Sequence, residues 1–252
     1  MTLNHIENKT IWMFWTGDNE MSDTRRSAFD SFCKTNEDCD VRLVTNKEIE
    51  TAPDIHEGYE YLSAIQKGDY LKGYFMHNFG GGYSDVKATP VSWSPYLQRM
   101  IDDKDLIGIG YGEASVGGVA FIEGCRLDPN DSVFCRDFTL DEEGNWSSIH
   151  VRANWDKLIG NGGFIFRPRT ELTQQWLDGL HEKMDQYLPE LKEHPAQWAR
   201  DAHNYVIPET GEKSRYPIPW AVICGNILHP LTLKYHERID QDLPYPDCVN
   251  YQ

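Results

Sequence analysis

The sequence contains no apolar run of about 18 residues, the length at which a membrane-spanning helix becomes a candidate. Its start, Met1–Asn8, lacks the basic and apolar regions of a secretory signal peptide. Its six cysteines show no Cys-x-x-Cys spacing, which argues against a zinc site, and six in 252 residues are too few for a disulfide scaffold. We therefore expect a cytoplasmic protein with reduced, mostly structural thiols.

Positive charge is also scarce. The chain has 24 Lys and Arg against 40 Asp and Glu, a formal net charge of −16 that repels nucleic acid and anionic membrane surfaces. A phosphate-bearing ligand must then be bound by local positive charges. The 252 residues are 40% hydrophobic and 25% charged, the composition of a globular protein with a sizeable core. With no repeat or linker found, we expect one domain over residues 1–252.

The first part of the chain has a β-α-β pattern. Thr10–Trp15 is a short aromatic-rich run closed by Thr16 and Gly17, which predicts a buried first strand. A charged segment with helical character, Thr24–Lys34, separates it from a second strand candidate at Val41–Thr45. This order is typical of a nucleotide-binding α/β lobe.

Apolar spacing predicts a helix over Leu62–Asn78, ended by the glycines at 80–82. Later segments with strand or helix patterns are strands at Leu106–Gly110 and Gly163–Phe166 and a helix from Leu172 that Pro189 stops. The tail from Tyr216 carries five prolines, so we expect it to wrap over the surface.

The most informative segment is a charged helix that runs into a glycine turn and an acid. Asp69 and Lys72 stand three residues apart and are followed by Gly80-Gly81-Gly82-Tyr83-Ser84-Asp85. This block resembles the Asp-x-Asp type of sugar-nucleotide glycosyltransferases, specifically the capsular-polysaccharide-synthesis and initiating-mannosyltransferase-like group with a GT-A fold. In that group an Asp, and an Arg three residues on, precede Gly-Gly-x-Tyr-x-Asp-x-Asp. Here Lys72 replaces the Arg and Lys87 replaces the second Asp.

The resemblance implies a GT-A-like α/β fold in which helices flank a central mixed sheet. It implies a donor-binding half at residues 1–125 and an acceptor half at residues 126–252. The activity implied is hexosyltransferase-like: a sugar moves from a UDP- or GDP-linked donor to a glycan or lipid-linked acceptor, as in capsule or surface polysaccharide synthesis. The nucleotide sugar and that acceptor are the partners it implies.

The donor site that the resemblance implies consists of Trp15, Thr16, Asp69, Lys72, Gly81, Tyr83 and Asp85. Asp85 would bind the ribose or a metal, and Lys72 would contact the diphosphate. Glycines such as Gly81 allow a backbone to approach a ligand closely. The alternative for Asp69 with Lys72 is an ordinary ion pair between residues one helical turn apart. Trp15 could instead belong to the core.

Lys87 bears directly on the metal. The resemblance implies Mn²⁺ or Mg²⁺ held by Asp85, with His229 as a further ligand, whereas a lysine at 87 removes one carboxylate and repels a cation. Either Lys87 itself neutralises the diphosphate, or Asp85 and His229 hold a weaker metal. A lone histidine between apolar residues is also common as a structural residue.

Two further residues are candidates for the reacting face. Asn161, within Ile159–Phe164, resembles an Asn-containing acceptor-side turn of the group, and the alternative is that it only caps a turn. Asp156 is the nearby carboxylate that could act as a base, unless it is an exposed loop acid.

Two other function classes stay open. The chain could be a non-catalytic nucleotide-sugar or glycan-binding protein with a degenerate glycosyltransferase fold, since Lys87 stands where the group has an acid. It could also be an interaction protein, if the charged residues prove to be scattered. A compact donor site requires the side chains of Asp69, Lys72 and Asp85 to lie within about 12 Å of one another.

Overall fold

The computed structural model describes residue 6 and residues 8–50, 52–119 and 148–247. In chain order its helices and strands are β1 Thr10–Trp15, α1 Asp23–Thr35, β2 Asp40–Thr45, α2 Asn46–Ile49, α3 Ala64–Asn78, β3 Gly81–Ser84, α4 Ser94–Asp102, β4 Gly108–Gly112, α5 Ser148–Ala153, β5 Ile159–Phe166, α6 Glu171–Glu193, α7 Gly225–Lys234 and β6 Ile239–Asp240.

The strands form one six-stranded mixed sheet in the order β2-β1-β3-β5-β4-β6. β1 is parallel to both β2 and β3, whereas β5 runs antiparallel to β3 and β4. β6 lies parallel to β4 at the sheet edge. The α/β class and the central mixed sheet flanked by helices are therefore confirmed, as a GT-A-like fold requires.

Alternation along β1 explains why helices cover both faces of the sheet. Ile11 and Met13 point to one face, where they belong to a buried cluster with Phe32 of α1. Phe14 points to the other face and packs with Phe75 of α3, with ring centroids 5.0 Å apart. Helices α6 and α7 add their apolar residues to this second cluster.

The strand order creates a crevice at one edge of the sheet. The chain passes from β1 through α1 to β2 on one side, and then through α3 to β3 on the other side of β1. The two connections cover opposite faces, so the carboxyl ends of β1 and β3 are left uncovered between them. Ligands of open α/β sheets bind outside such a switch point. Thr16 directly follows β1 and Asp85 directly follows β3.

Two expectations for the second half of the chain are wrong. Helix α6 does not stop at Pro189 but continues to Glu193, because Leu191 is fully buried and anchors the last turn. The tail from Tyr216 does not lie on the surface. Its apolar residues between the prolines, such as Ile218 and Leu228, enter the core, and the tail forms α7 and β6.

Strand boundaries also differ from those expected. The strand predicted at Leu106–Gly110 is β4, which begins at Gly108, and the strand predicted at Gly163–Phe166 is β5, which begins at Ile159. Asn161 is therefore a strand residue and not part of a turn. The glycines around it weakened the apolar pattern that would have indicated the longer strand.

Gly81 and Gly68 provide a paired test of the chain geometry. Gly81 has φ +93°, and an added Cβ would lie 2.6 Å from the carbonyl oxygen of Thr10 in β1, whereas a Cβ on Gly68 in α3 would meet nothing within 4 Å. We expect Gly81→Ala to lower the free energy of unfolding by more than about 1 kcal/mol and Gly68→Ala to raise it by about 0.5–1 kcal/mol. Urea unfolding measures both, and equal effects would contradict the described turn.

Candidate functional site

Asp69 and Lys72 lie on the face of α3 that packs against the sheet. Ser63 caps this helix, accepting a hydrogen bond from the backbone N–H of Gln66 at 3.4 Å. Lys72 Nζ lies 2.8 Å from Asp69 Oδ1, and each residue is 7% exposed. The two side chains therefore form a buried ion pair and not the exposed surface pair considered as the alternative.

Asp85 receives positive charge from two elements. Its Oδ1 lies 4.0 Å from Lys72 Nζ and its Oδ2 lies 3.0 Å from Lys87 Nζ. The hydroxyl of Tyr83 donates a 2.6 Å hydrogen bond to Oδ1. We call Asp69, Lys72, Asp85 and Lys87 the charge cluster. The structure thus brings together the three side chains that a compact donor site requires, with Lys87 beside them.

The surroundings keep this cluster charged. Burial raises the pKa of Asp85, but Lys72, Lys87 and the hydroxyl of Tyr83 outweigh it and hold the pKa below its ordinary value. Burial lowers the pKa of Lys72, but the nearby negative charges, led by Asp69, raise it well above the ordinary value. Burial and Asp85 together raise the pKa of Tyr83 well above that of a free tyrosine.

The backbone of β5 lies close to Asp85. A Cβ added to Gly162 would lie 3.1 Å from Asp85 Oδ2 and 3.6 Å from Lys87 Nζ. The backbone N–H of Gly162 donates to the hydroxyl of Tyr111 at 3.0 Å, and its carbonyl accepts from the N–H of Asp85 at 2.9 Å. The sequence analysis did not single out Tyr111 or Gly162, although the repeated glycines of β5 were a usable signal.

A second polar group lies around Asn161. Its side-chain amide nitrogen lies 3.1 Å from Nε2 of the fully buried His229 in α7, and that Nε2 lies 3.3 Å from Glu113 Oε1. Glu113 directly follows β4. Sequence reasoning missed Glu113, because no spacing or motif connects it with the other two residues.

Asp85 does not fit the ligand set of a divalent cation in this arrangement. Both its carboxylate oxygens face lysine ammonium groups, and Nε2 of His229 lies against Asn161 and Glu113. Across the ranges that the structure describes, no three His, Cys, Asp or Glu side chains gather where they could hold a metal ion.

The remaining predicted residues divide between the crevice and the surface. Trp15 is half-buried, and its indole N–H donates to the carbonyl of Asn19 at 2.7 Å. Thr16 is buried, with its hydroxyl donating to the carbonyl of Ala64. Asp156 is exposed in a 3-10 turn, as its alternative interpretation predicted. Gly81 approaches the backbone of β1.

Two buried side-chain carbonyl oxygens at the site have no hydrogen-bond partner, Oδ1 of Asn46 and Oδ1 of Asn161. Asn46 begins α2 after the carboxyl end of β2, and its amide nitrogen donates to the carbonyl of Thr16 at 3.0 Å. Buried polar atoms are almost always paired, so an unpaired one at a crevice indicates a place for a ligand donor. Asn46 was not identified from the sequence.

A pocket of about 400 Å³ lies next to the cluster. Helix α1 lines one side of it, with Thr24, Arg25, Ser27, Ala28 and Ser31, and the segment 86–88 and Asp247 line the rest. Lys87 belongs both to this lining and to the cluster. A volume of this size is within the range of small-molecule sites.

Comparisons with known proteins find little. No protein-family model matches the chain. No curated protein matches it either. A solved structure described as the PaToxG glycosyltransferase superposes with a TM-score of 0.43 at 11% sequence identity, covering 73% of this chain. The match covers 64% of that protein's chain, so this chain spans less than two thirds of it. No residue role is transferred from this neighbour.

No helix in the described ranges is both long and apolar enough to cross a membrane.

Proposed function

We propose that the protein is a glycosyltransferase that binds a nucleotide-diphosphate sugar at the carboxyl ends of β1 and β3. The observation that carries this proposal is the charge cluster, which holds Lys72 and Lys87 at the switch point of the sheet. The two aspartates of the cluster balance its two lysines, so in a chain with a net charge of −16 this place does not add to the repulsion of an anion, and the ammonium groups can donate to one. A diphosphate is an anion that lysine ammonium groups bind.

The chemistry follows from where charge develops. When the bond between the sugar and the diphosphate breaks, negative charge grows on the leaving phosphate and must be stabilised. Lys87 and Lys72 would supply fixed positive charge there, with Lys87 taking the part that a divalent cation plays in the Asp-x-Asp group. Asp85 would keep both ammonium groups charged and in place, and Asp69 would hold Lys72 from the other side.

The polar atoms around the cluster suit the rest of the ligand. The unpaired Oδ1 of Asn46 would accept a hydrogen bond from a ribose or sugar hydroxyl, and the unpaired position of the Asn161 amide would contact the sugar. Trp15, half-buried at the end of β1, would stack on the base. The acceptor, a glycan or lipid-linked sugar as in capsule or surface polysaccharide synthesis, would approach from the side of Asn161.

One observation favours a second candidate, a nucleotide-sugar-binding protein without turnover. Lys87 stands where the Asp-x-Asp group has a metal-binding acid. Asp156, the candidate base, is exposed and is not one of the residues of the charge cluster. Such a protein would bind a nucleotide sugar and release no product.

A thermal-shift panel of UDP-, GDP-, CMP- and TDP-linked sugars, with and without manganese, tests donor binding. At about 100 times its dissociation constant a donor adds about 2.7 kcal/mol, which raises the melting temperature by about 5–10 °C in a domain of this size. We expect one nucleotide class to produce this shift without manganese.

Two matched lysine variants complete the test. Lys87→Ala should lose most of the shift, whereas Lys157→Ala, at an exposed lysine outside the cluster, should keep it. No shift with any donor, or an equal shift in both variants, would rule out the proposed site.

A further inference from the structure

Glu113, Asn161 and His229 form a buried polar group whose members come from three separate elements. His229 is fully buried in α7, and the side chain of Glu113 is 10% exposed. Nε2 of His229 lies 3.3 Å from Glu113 Oε1 and 3.1 Å from the amide of Asn161. Burying polar side chains costs free energy unless each donor faces an acceptor. The three side chains must therefore be oriented so that donors and acceptors match.

With the Asn161 NH₂ facing His229, Asn161 and Glu113 make opposite demands on Nε2. A carboxylate only accepts hydrogen bonds, so Nε2 must carry a proton to interact with Glu113. A protonated Nε2 cannot accept from the amide NH₂ of Asn161, and the two donors would repel each other. The conflict disappears if the Asn161 amide is turned by 180°, since nitrogen and oxygen of an amide occupy nearly the same positions. Its oxygen then accepts from Nε2.

The turned amide changes what the site offers to a ligand. The second polar position of Asn161 is buried and has no partner in the protein. After the turn this position holds an NH₂ donor and no longer a carbonyl oxygen. Asn161 directly precedes Gly162, which borders Asp85 and Lys87, so the donor belongs to the strand that runs beside the charge cluster.

We propose that Glu113 is a positioning residue that acts through His229 and holds the Asn161 amide with its NH₂ toward an oxygen of the bound ligand. The ligand class is the nucleotide-diphosphate sugar, so this inference rests on the proposed function. The oxygen contacted is a sugar hydroxyl or a phosphate oxygen. Asn161 then acts as a donor to the ligand.

A double-mutant cycle separates positioning from an ordinary structural role. Asn161→Ala and Glu113→Gln should each lower kcat/KM by about 5- to 150-fold, the equivalent of one hydrogen bond left unmade. If Glu113 acts only through Asn161, the double variant should be no worse than Asn161→Ala alone. Glu237→Gln, an exposed acid in another element, serves as the control and should change nothing.

The same cycle is measured on the dissociation constant of the donor, so that a protein that binds without turnover still gives an answer. Multiplied losses in the double variant, or unchanged values in Glu113→Gln, would overturn the positioning role while leaving the proposed function standing. Melting temperatures of all four variants report folding, and a Glu113→Gln protein with lowered stability but normal kcat/KM and affinity would also overturn it. Absence of both binding and turnover in the wild type would instead refute the proposed function, and this inference with it.

Discussion

Replacing Asp85 by Asn is expected to lower the rate of sugar transfer about 100- to 1,000-fold, the usual effect of removing one preorganised electrostatic contact. The carboxylate lies between the ammonium groups of Lys72 and Lys87, 4.0 Å from Lys72 Nζ and 3.0 Å from Lys87 Nζ. An amide is uncharged, so the two lysines would repel each other and leave the positions that bind the diphosphate.

The same substitution should also lower the melting temperature, because the low pKa of Asp85 shows that its ionised form stabilises the fold. Steady-state transfer kinetics and thermal unfolding measure the two effects separately. Glu237→Gln is the control, since that acid is exposed in another element, and it should leave both values unchanged. Normal turnover in Asp85→Asn would contradict the role assigned to Asp85.

Replacing Lys72 by Met is expected to lower the free energy of unfolding by about 3–5 kcal/mol, the cost of leaving one member of a buried ion pair without its partner. Asp69 lies 2.8 Å from Lys72 Nζ and is 7% exposed, so water cannot take the place of the ammonium group. Methionine has a similar shape, which keeps the loss of packing small.

Chemical denaturation of three proteins tests this prediction. The double variant Asp69→Asn/Lys72→Met should recover part of the stability, because it leaves no buried carboxylate at position 69 unpaired. Lys157→Met, at an exposed lysine, should have little effect. A loss below about 1 kcal/mol for Lys72→Met would show that the pair behaves like an exposed one.

Local patterns were sufficient to predict the first part of the fold. The bounds of β1 match the aromatic-rich run Thr10–Trp15, and α1 and β2 follow where charge and apolar residues indicated them. The order of Asp69, Lys72 and Asp85 also predicted their convergence, because a helix and the strand after its glycine turn must lie side by side. These features depend on residues that are close together in the sequence.

Contacts between distant segments could not be predicted in the same way. The prolines after Tyr216 suggested a surface tail, but its apolar residues are buried against α3, α6 and β5, which only the assembled sheet provides. Glu113 and Asn46 carry no motif, and their partners His229 and Thr16 come from other elements. The burial of Lys72 could not be predicted either, since the same i,i+3 spacing occurs in surface pairs and in buried ones.

Release of free nucleoside diphosphate from the nucleotide sugar, measured after exhaustive EDTA treatment, tests most directly whether the lysines of the charge cluster act on the diphosphate. We predict that the wild type releases product without metal, and that Lys87→Ala loses most of this activity while Lys157→Ala retains it. Release that stops completely in EDTA and returns with manganese would contradict the central claim, as would normal release by Lys87→Ala.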